Sequence, residues 1–352
     1  MNVYLFPNDD NVVILSNSHI NDSKLKNRPY NEVLFRKIHT YLIKHNIIDK
    51  NRNIIDLGAW IGDNTLPWSK MINGTVYAID PSDLNCDYIK KLKILNNSHN
   101  IKIIEKAISN NENIVSTNEN LEHCSFVYNN INNNCKIQLK SSYLDKLYEN
   151  NEINNNDKIQ LKSIYLDKLY ENNEIENIGY IHLDVEGMEY LVLLGSENII
   201  NVDRPIVSYE IHLDIDEHID NIKNFFINKN YIVYMINEIL PGNRLDCRNF
   251  LAIPIELNQY IYNMESNFNK YNYILISHIG RCVYTSYDNI LDAEYAYNIL
   301  NNGLYATILY DVKFNTILYT YGLVEILNIC KEYYNTHIKD NNLYNNILIK
   351  ID

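Results

Sequence analysis

Apolar positions along the chain follow two rhythms. Over residues 31–48, "NEVLFRKIHTYLIKHNII", apolar side chains recur at 33, 34, 38, 41, 42 and 47, which predicts a helix with one buried face. Before it stands a short strand pattern, "NVVIL", in polar sequence. From residue 53 onward, short apolar runs alternate with helical patterns. "NIIDLGAW", "TVYAIDP" and "IKIIEKAIS" read as strands, with helices over 63–72 and over "DLNCDYIKKLKILNNS" between them. The same alternation returns with "IGYIHLDVEG", a helix to Leu194, "RPIVSYEIH", a helix near 215–229, "YIVYMIN" and "NFLAIP". Continuous apolar strands separated by helices predict a mostly parallel sheet covered on both faces.

Between Ser109 and Ile178 the rhythm breaks and the sequence repeats itself. "KIQLKSSYLDKLYENNEI" at 136–153 recurs as "KIQLKSIYLDKLYENNEI" at 158–175, the copies differing only at Ser142 and Ile164. A repeat array needs several units to bury a shared core. Two near-identical copies instead suggest a tandem 22-residue duplication across 136–175, with one copy used by the fold. The other is an inserted segment, tolerated because lengthening a loop costs little. After Pro254 the pattern changes again. A β-β-α-β-β order and a final helix, "GLVEILNICKEYYNTH", predict a small α+β unit over 258–352, after a larger domain over 1–257.

Composition narrows the function classes. The net charge of −13 and the lack of a long Lys/Arg run argue against nucleic acid as partner. The six cysteines form no C-x-x-C pair and have no zinc spacing, which fits a reducing compartment. No apolar run approaches the ~18 residues of a membrane span, and the N-terminus does not read as a signal peptide. A cytoplasmic protein is expected. The abundant Asn reads as mutational drift before function.

Two short stretches carry candidate chemistry. In "IIDLGAWIGDNT" a strand ends in Asp56, and Gly58 and Gly62 punctuate a tight turn into a helix. In "VYAID" the next strand ends in Asp80, where a carboxylate can accept ribose hydroxyls. A dinucleotide calls for G-x-G-x-x-G, which brings its pyrophosphate onto the helix N-terminus. Here the spacing is Gly58-x-x-x-Gly62, led by an acid that repels phosphate. S-adenosylmethionine (SAM), with its ammonium and sulfonium, fits better; the plainer reading is a tight turn alone.

The ordered set "IDLGAWIGDNT", "VYAIDPS", "EKAIS", "YLDKL", "YIHLDVEGMEYLVLLGSENII" and "RPIVSYEIH" resembles the FkbM-type SAM-dependent methyltransferases over about residues 50–254. The resemblance implies an α/β fold, a seven-stranded Rossmann-like class I methyltransferase sheet with helices on both faces, and O-methylation of hydroxyls, often on sugars or natural products. It implies a SAM loop of Asp56, Gly58, Ala59, Trp60 and Gly62, a ribose position at Asp80 with Pro81 and Ser82, and Ala107 beside the adenine. Trp60 stands where that family commonly has a small polar residue, and His182 where it commonly has Lys.

In an open α/β sheet, ligands bind outside the carboxyl ends of the strands. Asp184 and Glu186 lie at one such end, and Glu210 and His212 at another, so the two strands should be neighbours. An alcohol must lose its proton to attack a methyl group, and Asp184, Glu210 or His212 could take it. Alternatively the carboxylates hold a divalent cation such as Mg that lowers the hydroxyl pKa. Plainer roles compete: Asp184 as N-cap of a helix from Val185, Glu186 at the positive helix end, Glu189 as a solvated helix residue, Arg204 in a surface ion pair. Three functions remain: a methyltransferase acting on a sugar, glycan or other small hydroxylated acceptor; an RNA ribose 2′-O-methyltransferase; and a non-catalytic interaction protein on this fold. The C-terminal unit is expected to serve a homo-oligomer or a protein partner.

Overall fold

The structure, a computed structural model, describes residues 3–5, 12–15, 32–112, 114–117, 127–128, 159–212, 216–236, 247–261, 264, 272–278, 282–287, 290–300, 306–313, 315–338 and 348–351. Its centre is one large sheet. The strands are β1 (Asn53–Leu57), β2 (Val76–Asp80), β3 (Ile101–Glu105), β4 (Ile178–Leu183), β5 (Ile206–His212), β6 (Tyr231–Ile236), β7 (Cys247–Pro254) and β8 (Leu348–Lys350). Their spatial order is 3-2-1-4-5-7-6-8. Strands β1 to β5 pair in parallel, while β7 runs antiparallel to both β5 and β6.

Alternate residues of each strand enter opposite cores, as the period of two requires. Ile54, Val76, Ala78, Tyr180 and Ile206 face helices α1 (Val33–Lys44), α2 (Thr65–Met71) and α3 (Asp83–Leu95). Ile55, Tyr77, Ile79, Ile181 and Val207 face α4 (Leu166–Glu171), α5 (Glu189–Leu194), α6 (Glu197–Val202) and α7 (Asp216–Ile227). Each of those strand residues is at most 5% exposed, which is why the strands read as unbroken apolar runs.

Two expectations change. The sheet has eight strands, because the last three-residue strand pairs antiparallel with β6. So short a strand leaves no periodic signal. Ile261, Met264 and Leu348 also pack into the large core, so the small unit lies between them, over 272–338 of the described residues. That unit has the expected β-β-α-β-β order, with α8 (Ile290–Leu300) on one face of its sheet and α9 (Val324–Tyr333) on the other. Asn also does structural work. Among the described residues, six of the ten non-glycine residues at positive φ are Asn, and Asn46, Asn97, Asn173 and Asn230 each follow a helix. Asn tolerates this left-handed region at helix ends, where only ten glycines are available in the whole chain.

The first repeat copy, 136–153, lies outside the described residues; the second is built into the fold from Ile159. Leu166, Leu169 and Ile175 are fully buried, and Asp167 accepts the N–H groups of Asn198 at 2.8 Å and Ile199 at 3.0 Å, capping α6. Ile164, the position that differs, packs against the core. Deleting 136–157 is therefore expected to leave a cooperatively folding protein, with a urea midpoint within about 0.3 M of the parent. Loss of the cooperative transition would show that the first copy is also structural.

Candidate active site

The turn after β1 is held by its neighbours. Gly58 and Ala59 donate N–H bonds to the Ile79 carbonyl at 2.9 and 3.2 Å, and Asp184 donates to the Leu57 carbonyl at 3.0 Å. Gly58 has φ +79° and Gly62 φ +75°. A Cβ on Gly58 would lie 1.8 Å from the carbonyl oxygen of Asp184, so only glycine lets the two strand ends approach this closely. Ala59 is buried. Trp60 takes a left-handed φ of 43°, packs its half-buried ring against the core and donates its N–H to Asp80 Oδ2 at 2.9 Å.

Asp56 is buried and accepts the Thr65 hydroxyl from the start of α2. Burial pushes its pKa up to about 7; the Thr65 bond opposes this, and Asp63 and Asp80 add to it. Its carboxylate thus anchors strand to helix. Asp63 pairs with Arg36 at 3.1 Å and thereby fastens α1 to the turn.

At the end of β2, both oxygens of Asp80 are engaged. Oδ2 takes the Trp60 N–H, and Oδ1 takes the Ser82 N–H at 2.8 Å and the Asn85 amide at 3.1 Å. A carboxylate offers about four lone-pair sites, and these three bonds use most of them. Burial pushes the Asp80 pKa up to about 6, against those hydrogen bonds. Pro81 is half-buried, and Ser82 is buried and caps α3 through Asn85 at 3.3 Å. Ala107 is buried beyond β3, opposite Ser163.

The carboxylates converge as their strands do. β4 and β5 are parallel neighbours, with Leu183 opposite Tyr209. Asp184 and Glu210 hydrogen-bond to each other through their side chains. Asp184 keeps some solvent exposure but is densely surrounded. Desolvation first, then Glu210, Glu186 and Glu32, holds its carboxyl well above the usual range. Glu186 sits at φ 51° and Gly187 at φ 98°. Glu32, Trp60 and Glu186 are thus all non-glycine residues in the left-handed region, each costing about 1–2 kcal/mol. Such strain collects where surrounding structure dictates geometry. His212 ends β5; its side chain lies outside the described ones.

Helix α5 starts at Glu189, not at Val185, because the two positive-φ residues Glu186 and Gly187 break the helical path. Asp184 therefore caps no helix. Glu189 is buried rather than solvated: its Oε1 accepts the N–H groups of Val185 and Gly187, both at 3.2 Å, and so shapes the loop that carries Glu186. Arg204 has the expected ion pair, two bonds to Glu256 at 2.9 and 2.8 Å.

Several residues at the site have no local sequence signal. Glu32, buried at the start of α1, accepts from Asn249 of β7 at 3.1 Å, and Asn249 lies opposite Glu210 in the sheet. Below the acids runs a buried polar chain. The Tyr180 hydroxyl bonds His39 and Ser208, and Ser208 bonds His182 Nδ1 at 2.8 Å. Burial first, then His182 and Arg36, lowers the His39 pKa well below 6.5. Among the described residues no group of three or more His, Cys, Asp or Glu is arranged to hold a metal ion, and no helix is long and apolar enough to cross a membrane.

Residues 56–233 match the model of the methyltransferase FkbM domain. Among solved structures, the methyltransferase FkbM from Methylobacillus flagellatus KT is 12% identical, with a TM-score of 0.39 over 67% of this chain and 62% of that one. This chain thus spans less than two thirds of that protein. An O-methyltransferase from Bacillus cereus in complex with SAH is 12% identical, with a TM-score of 0.34 over 62% of this chain and 80% of that one. A SAM-dependent methyltransferase from Aquifex aeolicus is 12% identical, with a TM-score of 0.35 over 65% and 94%. No curated protein matches the sequence. The family match covers the strand ends that carry Asp56, Asp80, Asp184 and Glu210, and the chain belongs to the FkbM family of SAM-dependent methyltransferases.

Proposed function

We propose that this enzyme moves the methyl group of SAM onto a hydroxyl of a sugar, glycan or other small uncharged acceptor. The observation that carries this reading is the contact between Gly58 and the Asp184 backbone, which sets the donor turn against the Asp184–Glu210 pair. SAM supplies, when bound, an electrophilic methyl on a sulfonium. The chain's own part is to align the acceptor and take its proton. The Asp184–Glu210 pair is the group placed to receive the proton as the C–O bond forms. The electrons of the broken C–S bond remain on sulfur. Glu186 and Glu32 keep the site negative, which repels phosphate and disfavours RNA.

The test is methyl transfer from SAM to a panel of neutral sugars, phosphosugars and RNA, read by mass. Transfer to neutral hydroxyls alone supports the proposal; transfer only to RNA or to anionic acceptors overturns it. Saturating SAM, at about 100 times its Kd, should stabilise the protein by roughly 2.7 kcal/mol. Asp80→Ala is expected to weaken SAM binding about 10–100-fold through loss of a charged hydrogen bond. It should also lower stability, since Trp60, Ser82 and Asn85 lose their acceptor. SAM affinity should fall as pH drops below about 6, where Asp80 takes up a proton and becomes a poorer acceptor. Calorimetric titration at two pH values checks this, and unchanged affinity in the variant removes Asp80 from the ribose position.

A further inference from the structure

The small unit ends its sheet in an unusual edge. Among the described residues, strand Thr316–Tyr321 is hydrogen-bonded on one side only, to Ala306–Asp311, and all six of its residues are exposed. Ala306–Asp311, by contrast, is buried throughout. The edge is apolar on both faces. Ile317, Leu318, Tyr319 and Tyr321 are exposed, and the chain continues into Leu323 and Val324, each 68% exposed. From Thr316 to Val324 there is no charged residue and no proline. Soluble proteins normally blunt an edge with Lys, Pro, a bulge or a cover. Among the described residues only a bulge is present of these devices: the register slips near Leu318.

We propose that this edge is a self-association surface, on which a second copy of the chain adds its own Thr316–Tyr321 strand antiparallel about a two-fold axis. Three observations select that occupant. A row of open backbone donors and acceptors flanked by apolar side chains on both faces is completed by another strand, not by a helix or a flat surface. A strand meeting its own copy about a two-fold axis forms a closed, isologous contact, which stops at two. The chain carries a net charge of −13, so copies repel one another over most of their surface, while the stretch 316–324 carries no charge itself and the one carboxylate bonded to it among the described residues, Glu294, accepts the Tyr319 hydroxyl at 2.7 Å. The exposed parts of Ile317, Leu318, Tyr319, Tyr321, Leu323 and Val324 come to at most roughly 600 Å² per copy, the lower end of the ~600–1,000 Å² per partner of stable interfaces. The pairing joins the two small units and leaves the methyltransferase sheets outside the contact strand.

Sedimentation equilibrium of the full chain across about 1–100 µM tests this. The expected mass is twice 41.4 kDa at the upper end. Leu318→Lys and Leu323→Lys should each raise the dissociation constant at least tenfold, while Ile94→Lys, at an exposed position of α3, should leave it unchanged. Hydrogen exchange on the unaltered protein gives a second reading that needs no variant. The amides of 316–321 should exchange more slowly at high concentration than at low. A chain that stays monomeric throughout overturns the proposal. So does a dimer that survives both lysines, or one whose 316–321 amides exchange independently of concentration.

Discussion

Asp184→Asn is expected to lower turnover by roughly 10²–10⁴-fold, the range lost when a positioned general base is removed. SAM affinity should stay within about twofold, because the Asp184 backbone, not its side chain, meets the donor turn at Gly58. An amide at 184 can donate to Glu210, as the protonated acid does, so the geometry persists while proton acceptance is lost. The same variant should be more stable than the parent. The folded pKa of Asp184 is raised above 3.8 by burial and by three neighbouring carboxylates. The folded state then holds a proton that the unfolded chain gives up, and stability falls as pH rises from 3.8 through the folded value. Asn removes that penalty, so its gain in Tm should grow with pH across this window. Thermal melts at several pH values, beside single-turnover rates, check both halves. An inactive variant with no gain in Tm would place Asp184 outside the acid cluster, and a fully active one would remove it from the proton transfer.

Gly58→Ala should be among the most damaging single-methyl changes in the molecule. The new Cβ would lie 1.8 Å from the Asp184 oxygen and 2.8 Å from its carbonyl carbon, at a φ of +79°. Neither contact can be relieved by turning a side chain, so β1 and β4 must separate at their carboxyl ends. The left-handed backbone adds about 1–2 kcal/mol and forced repacking about 1–3 kcal/mol, for a total of roughly 2–5 kcal/mol. Gly62→Ala is the internal comparison. Its Cβ would meet Ile89 Cγ1 at 3.3 Å, a side-chain contact that can shift, so the cost should be roughly 1 kcal/mol from φ alone. Urea midpoints at constant m-value rank the two. Stabilisation by SAM should also disappear in Gly58→Ala. Equal midpoint shifts for both variants would mean that the donor turn does not touch Asp184.

The sheet was legible because its physics is local. A strand buried on both faces must be an apolar run, so an acid within or just beyond its last residues stands out. Asp56, Asp80, Asp184 and Glu210 are such acids, and the family motif lies over the same residues. Parallel pairing of β4 and β5 then followed from the alternation of strand and helix, and it brought Asp184 and Glu210 together. The repeat was legible too, by identity alone. That the second copy packs into the core was not, since Ile164 meets that core and Asp167 meets the start of α6 only in space.

What the sequence by itself determined, then, is the order of elements, the strand ends that carry acidic residues, and the glycine-punctuated turn. Each depends on neighbours within a few residues, or on a period of 2 or 3.6. Only the tertiary structure decided that Asn249 and Glu32, 217 residues apart, complete the acid cluster. It also decided that Glu189 turns inward to hold its own loop, that Asp80 accepts three N–H bonds from Trp60, Ser82 and Asn85, and that the last strand returns to the edge of the large sheet. Such contacts form between surfaces brought together by the folding of the whole core, and side-chain periodicity within any one segment carries no trace of them.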